Sequence, residues 1–532
     1  VIQGLLHSAL SWYRSGSRWW LPLILGLLYP LFFSPFNHET HPLLFLFPLT
    51  GFVALLPVFV IALALPLRRA ILHLYLFGIA ASAGQYYWIG FVAPEGQHHL
   101  ILLGLLASCM ILGIYFLVTG LVFRGMYRLY PRLYLFLFPS FWIILELVRG
   151  IGELAFPWNY VGYLFVPYTA TAQLASVVGT FGLSWVVIFG NALAFEVLLA
   201  YYHNRNRAQK WLHLSILGLG LIVATVWGWM RMNGVPEAGE RTTVSLIQGN
   251  LDQLHWGSGS LDSSLAILEE MVVSTQKDDP ELVVLSESAV LTYLARRNYV
   301  RLRVEGWADS IQTPLIVGSL HWEASKENPY YRYLVYNSAF LVRGSKERMQ
   351  PYHKIKLVPV SEIMPFEAQI PILSRVNLGE ADFKRGGEPT VYRMDSSLKP
   401  APFICYEIIF PSFVRKRVNE GANLLVNITN DGWFGRSSGP FQHAAMARMR
   451  TIENGVSMVR CANSGISMMT DQFGRVLHKT PLYTRTVATG SVPIETVDTL
   501  YRRLGDWPLG VAGMLLIVAG ILLPSRIRRR SR

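Results

Sequence analysis

Apolar positions follow two different patterns along the chain. In the first 230 residues they form long runs near 19–35, 43–65, 70–92, 99–123, 133–149, 171–201 and 211–230, and one more lies near 508–524. Each is close to the ~20 residues that cross a bilayer core. Between 231 and 507 no such run occurs. Short apolar segments there alternate with stretches of helical period, the pattern of an α/β domain. The expected organisation is a membrane α-helical bundle of seven N-terminal spans (1–230), an inserted α/β domain (231–507), and a C-terminal span with a basic tail (508–532). The first apolar run has no small-residue cleavage site and further spans follow it, so it reads as a span and not as a cleaved signal.

Within 231–507, strands are predicted at 243–247, 282–285, 315–319, 333–342, 401–404, 423–428, 465–470 and 487–492, and Cys461 falls in another. Leu261, Leu265, Leu268 and Met271 recur at helical spacing and predict a helix over 261–274. The segments 257–264 and 361–388 read as loops. Neither internal repeats nor low-complexity tracts interrupt the pattern.

Composition supports this division. The 532 residues are 52% hydrophobic and only 15% charged, with a mean hydropathy of +0.34, whereas soluble proteins carry about 25% charged residues. The net charge of +13 is concentrated outside the α/β region. Residues 231–507 hold 31 Lys and Arg against 29 Asp and Glu, and the other 255 residues hold 16 against 5. A nucleic-acid reading needs the basic surface on the folded domain, and here it is not. Basic residues alternate from loop to loop: Arg14 and Arg18, then Arg68 and Arg69, then Arg124, Arg128 and Arg132, then Arg205, Arg207 and Lys210, and finally Arg526, Arg528, Arg529, Arg530 and Arg532. The intervening short loops contain only Arg149. By the positive-inside rule both termini are cytoplasmic and the α/β domain lies across the membrane.

Some residues of the membrane half are not ordinary lipid-facing material. Residues 81–88 run from small side chains into an aromatic cluster, and Glu146 is a carboxylate near the end of a span, a position often functional. Phe156-Pro157-Trp158-Asn159-Tyr160 reads first as an interfacial aromatic anchor.

Candidate chemistry comes from three side chains. Glu287 follows an apolar strand, Lys354 lies in Tyr352-His353-Lys354, and Cys405 follows another strand. Groups at strand C-termini of α/β folds point into the ligand crevice. A thiol with a lysine to stabilise charge and a carboxylate to move protons is an equipped nucleophile. The three cysteines, Cys109, Cys405 and Cys461, are too few and too scattered for a disulfide framework or a zinc site. Neither a cofactor nor a metal is implied: the sequence has no His-x-x-x-His pattern, and Lys354 supplies the positive charge.

The order Glu, Lys, Cys resembles the triad of the carbon–nitrogen hydrolase (nitrilase) superfamily. Over most of its length the chain is similar to a membrane-bound branch, the apolipoprotein N-acyltransferase family. The likeness rests on Phe156-Pro157-Trp158, Gln248-Gly249-Asn250, Tyr352-His353-Lys354 with Leu357-Val358-Pro359, Cys405-Tyr406-Glu407, 430–435, 439–443 and 446–450. The resemblance implies an αββα sandwich, with Glu287 as general base, Lys354 as triad lysine and Cys405 as nucleophile. It also implies Glu362 as a second carboxylate, Tyr406 and Glu407 as flanking residues, and Trp256 and Trp433 as aromatics near the site. Where the family usually has proline before the general base, this chain has Ser286. Leu291-Thr292-Tyr293-Leu294 matches no motif and is expected at the mouth of the site.

The implied reaction moves an acyl chain from a phospholipid to the α-amino group of the S-diacylglyceryl cysteine of a lipoprotein, through a thioester on Cys405, in the bacterial inner membrane. A monomer is expected. Two other classes use parts of the same sequence: a membrane-tethered nitrilase-like amidase, and a non-enzymatic lipid transporter or receptor. Eight spans argue against the first and an intact triad against the second. Acyl chains are expected to enter sideways from the bilayer, past loop 361–388 and the stretch after Trp433. Met364, Pro365, Phe366, Ile370, Pro371 and Ile372 form the apolar patch of the former.

Overall fold

The computed structural model describes residues 2–16, 18–33, 50–92, 98–131, 133–203, 207–234, 239–251, 260–325, 333–367, 369–370 and 383–530. Trp256, Pro371 and Ile372 lie outside them. Among the described residues the N-terminal part consists of helices and their connecting turns, with long helices at Leu67–Tyr86, His98–Leu129, Tyr134–Arg149, Ala175–Tyr202 and Arg207–Asn233. Helix Trp507–Arg530 returns from the other end of the chain to pack on Tyr134–Arg149. Three stretches, Ile101–Leu129, Ala175–Tyr202 and Trp211–Asn233, are each long and apolar enough to cross a membrane. Trp20–Phe32, Thr50–Ala64 and Trp507–Leu522 are apolar but shorter. Two predicted runs are broken. The 70–92 run leaves α-helix at Tyr86 and continues as a 3-10 turn, Tyr87–Phe91. Helix Ala175–Tyr202 is kinked at Gly179 (φ 64°), where a Cβ would stand 2.6 Å from the ring of Tyr501. Only glycine fits there.

Among the described residues the α/β part has twelve strands: β1 Arg241–Gln248, β2 Leu282–Leu285, β3 Val290–Tyr293, β4 Leu315–Ala324, β5 Tyr333–Val342, β6 Gln350–His353, β7 Pro400–Ile404, β8 Leu424–Thr429, β9 Ser457–Ala462, β10 Met468–Thr470, β11 Val476–Lys479 and β12 Thr486–Pro493. One sheet has the order β12-β1-β2-β4-β5-β6, with β3 also on β4, and the other β11-β10-β9-β8-β7. β1, β2 and β4 are parallel, as are β7, β8 and β9. The sheets pack face to face. Leu246, Val284, Ile316 and Leu341 of one meet Ile404, Val426, Ile428 and Val459 of the other in a dry core.

Helices Ser260–Val273 and Asn298–Ile311 cover the outer face of the first sheet through Leu265, Leu268, Val304 and Trp307. Helices Pro411–Asn419 and Gly439–Asn454 cover the second, completing αββα. Their Val414, Met446 and Met449 belong to the same buried cluster as Phe59, Phe138 and Leu183 of the N-terminal helices. The outer layer of the sandwich and the helical half therefore share one core. Residues 260–264, read from sequence as loop, open the helix Ser260–Val273. The 291–294 segment lies in and just after β3, and the Thr292 carbonyl accepts from Ser319 Oγ at 2.6 Å. Its role there is to fix β3 on β4.

Candidate active site

Glu287, Lys354 and Cys405 each stand just past a strand end: β2, β6 and β7. The sequence placed two of them at strand ends; β6 adds the third. All three sit at one end of the sandwich. Lys354 is buried, and its Nζ donates to Glu287 Oε1 at 3.2 Å and to Glu362 Oε1 at 2.8 Å. Burial works against its charge, but Glu287, Glu362 and Cys405 outweigh it and hold the ammonium well above its ordinary range.

Glu287 also accepts from Asn337 Nδ2 at 2.8 Å and, on Oε2, from the Asn430 N–H at 3.0 Å. A carboxylate has about four acceptor positions. Three are occupied among the described residues, which leaves one for a proton. Gly318 allows this arrangement: a Cβ there would lie 2.3 Å from the Ser286 carbonyl and 2.7 Å from Glu287 Cα. Ser286 itself is buried. Glu362 accepts from the Val358 N–H at 2.8 Å, so the 358–362 turn closes on its own carboxylate.

Cys405 is partly accessible, whereas Cys109 and Cys461 are buried. Its backbone has φ 48°, in the left-handed region that disfavours side chains. Burial and the charge of Glu287 push its thiol up, and Lys354 and Thr429 reverse this only in part. The resting group is therefore a thiol, within electrostatic reach of both partners. Glu407 ties down the turn that carries Cys405. It accepts from the N–H groups of Ile404 (2.8 Å), Ile355 (2.7 Å) and Lys356 (3.1 Å), and from Tyr352 Oη (2.8 Å), which in turn accepts from Arg417. Glu407 thus joins the turn carrying Cys405 to the one carrying Lys354. Tyr406 donates to the Ala155 carbonyl, in the loop after Tyr134–Arg149. Trp433 is half-buried on the turn Asp431–Phe434, next to Asn430.

One group escaped sequence reasoning. His443 Nε2 lies 3.1 Å from the Cys405 carbonyl, so it must donate there. His443 Nδ1 lies 3.0 Å from Asp431 Oδ1 and 3.1 Å from Arg460 Nη2, and Arg460 also donates to Asp431 Oδ2 at 2.7 Å. Burial works against the Asp431 charge, but Arg460 outweighs it and holds the carboxyl down at about 2. Burial, then Arg460, push His443 down. The signal was present in Asp431 and His443 of the quoted motifs, but their pairing across 12 residues with a carbonyl 38 residues away is tertiary. Asn337 was missed for the same reason.

The aromatic loop requires a correction. Trp158 and Tyr160 are buried and anchor no interface. Trp158 Nε1 and Trp88 Nε1 both donate to Gln442 Oε1, at 2.8 and 3.1 Å, and Trp158 packs on His443 and Phe434. The helical half thus contacts the residue next to the His443 clamp. Phe434 accordingly packs inward. Arg149, read as a loop residue, ends its helix and donates to the Trp158 carbonyl at 3.0 Å. Glu146 is buried, and its Oε1 accepts from Trp142 Nε1 and the Val161 N–H at 3.0 and 2.9 Å. Phe366 and Ile370 are exposed, and the Phe366 N–H meets Glu153 of the loop after Tyr134–Arg149.

A face-to-face α/β sandwich with a cysteine, a lysine and paired carboxylates at one end is the architecture of carbon–nitrogen hydrolase-type domains, and the carbon-nitrogen hydrolase family matches residues 243–502. The apolipoprotein N-acyltransferase N-terminal domain family matches residues 25–193. A Geobacter metallireducens apolipoprotein N-acyltransferase is 33% identical over 85% of this chain and 87% of its own. One from Rickettsia typhi is 31% identical over 74% of this chain and 76% of its own. The chain belongs to the apolipoprotein N-acyltransferase family, and it is an acyltransferase. Among solved structures, a nitrilase-superfamily protein of Saccharomyces cerevisiae aligns at 16% identity over 50% of this chain and 95% of its own, with a TM-score of 0.38.

Proposed function

We propose that this protein transfers an acyl chain from a phospholipid to the α-amino group of an S-diacylglyceryl cysteine at a lipoprotein N-terminus, by way of a thioester on Cys405. The observation that carries this reading is the Lys354 ammonium held between Glu287 and Glu362 beside Cys405. In the first half-reaction Glu287 takes the thiol proton through its remaining acceptor position, and the sulfur attacks the ester carbonyl. Lys354, with the backbone N–H of Tyr406, stabilises the oxyanion. The C–O bond breaks, and the proton held by Glu287 passes to the departing lysophospholipid. In the second, the lipoprotein amine attacks the thioester, Glu287 takes its proton, and the thiolate leaves to be reprotonated. This is two-step covalent catalysis.

The proposal includes the division into 1–230, 231–507 and 508–532, with eight spans in an inner membrane. The basic loops face the cytoplasm and the sandwich faces the periplasm, as the alternation of Lys and Arg supports. Exposed Leu102, Leu103, Leu106, Met110, Ile111 and Ile114 on helix His98–Leu129 suit a lipid-facing surface. Both substrates are lipid-anchored, so a membrane-bound enzyme meets them at high local concentration. The test incubates purified protein with phospholipid and measures its intact mass. An acyl adduct is expected in wild type, Cys109→Ala and Cys461→Ala, and none in Cys405→Ala. Addition of a diacylated lipopeptide should discharge the adduct and give the triacylated product. An adduct in Cys405→Ala, or hydrolysis with no transfer to the amine, overturns the assignment.

A further inference from the structure

A second cluster lies back-to-back with the site, on the outer face of the first sheet. Leu315 and Val317 of β4 and Phe340 of β5 face the helices on that side. Side chains alternate along a strand, so His321 and Glu323 of β4 and Tyr336 of β5 share this face. In the register, His321 is opposite Tyr336, and Ser338 is opposite His353 of β6. His353 reaches across to β4: its Nε2 lies 2.8 Å from His321 Nδ1. One imidazole nitrogen of each histidine and one carboxylate oxygen of Glu323 all lie within 4.8 Å of one another. Tyr336 stacks on the His353 ring at 4.1 Å, and Phe340 stands edge-on to His321 at 5.5 Å, so both imidazoles are held in place. His321 is buried and Glu323 is exposed, which leaves one side open to solvent.

We propose that His321, His353 and Glu323 form a binding site for a divalent transition-metal ion of the zinc type. Two imidazoles and one carboxylate suit zinc, copper or nickel better than the oxygen-seeking calcium or magnesium. With metal–nitrogen bonds of ~2.0–2.1 Å, a tetrahedral ion holds its donor atoms about 3.3 Å apart. The two nitrogens, now 2.8 Å apart and sharing one proton, need to separate by about half an ångström. Each ring keeps one proton, on the nitrogen away from the metal, so no net proton is released. Glu323, being exposed, swings to complete the third bond, and water takes the fourth position. The Arg296 guanidinium, which donates to the Trp322 carbonyl between the β4 ligands, opposes the ion's charge and limits affinity. An ion here ties β4 to β6 across β5. Lys354 is the next residue after His353, on the opposite face, so the bound ion braces the strand end that presents it. The two histidines lie 32 residues apart along the chain, and no short metal motif reveals them.

The experiment uses full-length protein in detergent, freed of any polyhistidine tag and stripped with a chelator. It is titrated with Co²⁺ by visible absorption and with Zn²⁺ by calorimetry. Saturation at one equivalent, cobalt ligand-field bands and a rise in Tm that follows occupancy are expected. His321→Ala and Glu323→Gln should each weaken binding by at least about 10-fold, the loss that even outer-sphere changes cause. Glu323→Gln alters an exposed side chain and keeps the test valid if His321→Ala misfolds. Absence of saturable binding, equal affinity in wild type and Glu323→Gln, or a thiolate charge-transfer band that disappears in Cys405→Ala overturns the proposal.

Discussion

Glu287→Gln separates two roles that a simple loss of activity leaves mixed. The carboxylate is the proposed base, and its charge is also the second contribution, after burial, that pushes the Cys405 thiol up. Glutamine keeps the shape and removes both. As base, its loss should slow acyl-adduct formation by about 10²–10⁴-fold. As charge, its loss should bring the thiol down, because Lys354 still faces it. Each tenfold gain in thiolate brings about 3-fold faster alkylation by a small soluble reagent, since lower basicity takes back nearly half the gain. Glutamine also turns one amide N–H₂ toward Lys354 and Asn337 or toward the Asn430 N–H, all of them donors, at a cost of about 1–3 kcal/mol. Tm should therefore fall, and both rates are read on protein that remains folded. The assays are intact mass after exposure to phospholipid and the rate of iodoacetamide labelling at Cys405. Acylation should fall while alkylation rises. If both fall together, or alkylation is unchanged, the electrostatic account of the thiol is wrong.

Lys354→Arg keeps a charge but puts a larger, planar group between two carboxylates in a buried slot. It should cost the first half-reaction at least about 100-fold, as loss of one oxyanion donor does. Lys356→Arg, whose ammonium rests 5.2 Å over the Phe410 ring, keeps that contact and should be nearly silent; equal effects at both positions refute the assignment. His443→Ala removes the donor to the Cys405 carbonyl and should lower kcat far more than KM, with partial rescue in His443→Gln, whose amide can still donate; an unchanged kcat shows the clamp is idle. His443 is held neutral below its ordinary range by burial and Arg460, with Asp431 opposing, so the unfolded chain binds the extra proton first. Its share of stability is present above about pH 6.5 and is lost as pH falls toward the folded value, a slope that His443→Gln should flatten. Phe366→Asp and Ile370→Asp, on the exposed patch beside Glu153, should slow acylation from phospholipid vesicles more than iodoacetamide labelling of Cys405; parallel changes count against entry of lipid along this face.

The parts of this molecule that sequence made legible are those with a short-range signature. The strand of 333–342 ends where the polar Arg343-Gly344-Ser345 begins, and 282–285 stands out because four consecutive apolar residues need burial on both faces. β6 and β11 did not stand out, since Gln350–His353 and Val476–Lys479 are short edge strands with little apolar content. Helix Gly439–Asn454 was hidden for a different reason. Its buried residues include Gln442, His443, Arg450, Glu453 and Asn454, so its inward face does not look hydrophobic. Glu287 and Cys405 were visible as residue types after strands, but only folding supplies Asn337, the Asn430 N–H and His443, which are drawn from a strand, a turn and a helix.

Those hidden residues explain why the helical half and the sandwich are not independent parts of one chain. Glu453 is fully buried, yet it accepts from Thr180 N and Oγ1 at 2.8 and 2.6 Å, while Arg450 reaches Tyr163 and the same Thr180 hydroxyl at 2.9 Å. A buried ion pair such as Arg450–Glu453 offsets its desolvation only if further hydrogen bonds satisfy its remaining donors and acceptors, and here those partners belong to the N-terminal helices. Three turns away on the same helix, Gln442 takes two indole donors from Trp88 and Trp158, and the next residue, His443, holds the carbonyl of Cys405. Helix Gly439–Asn454 is thus polar on the face that meets the helical half because its partners there are polar as well. A sandwich cut free at Arg241 leaves Arg450, Glu453 and Gln442 buried against nothing or exposed to water, and the helix that fixes the strained backbone of Cys405 loses its outer support. The position of Cys405 therefore depends on Trp158 and Tyr163, which lie 284 and 287 positions before the Gln442 and Arg450 they hold.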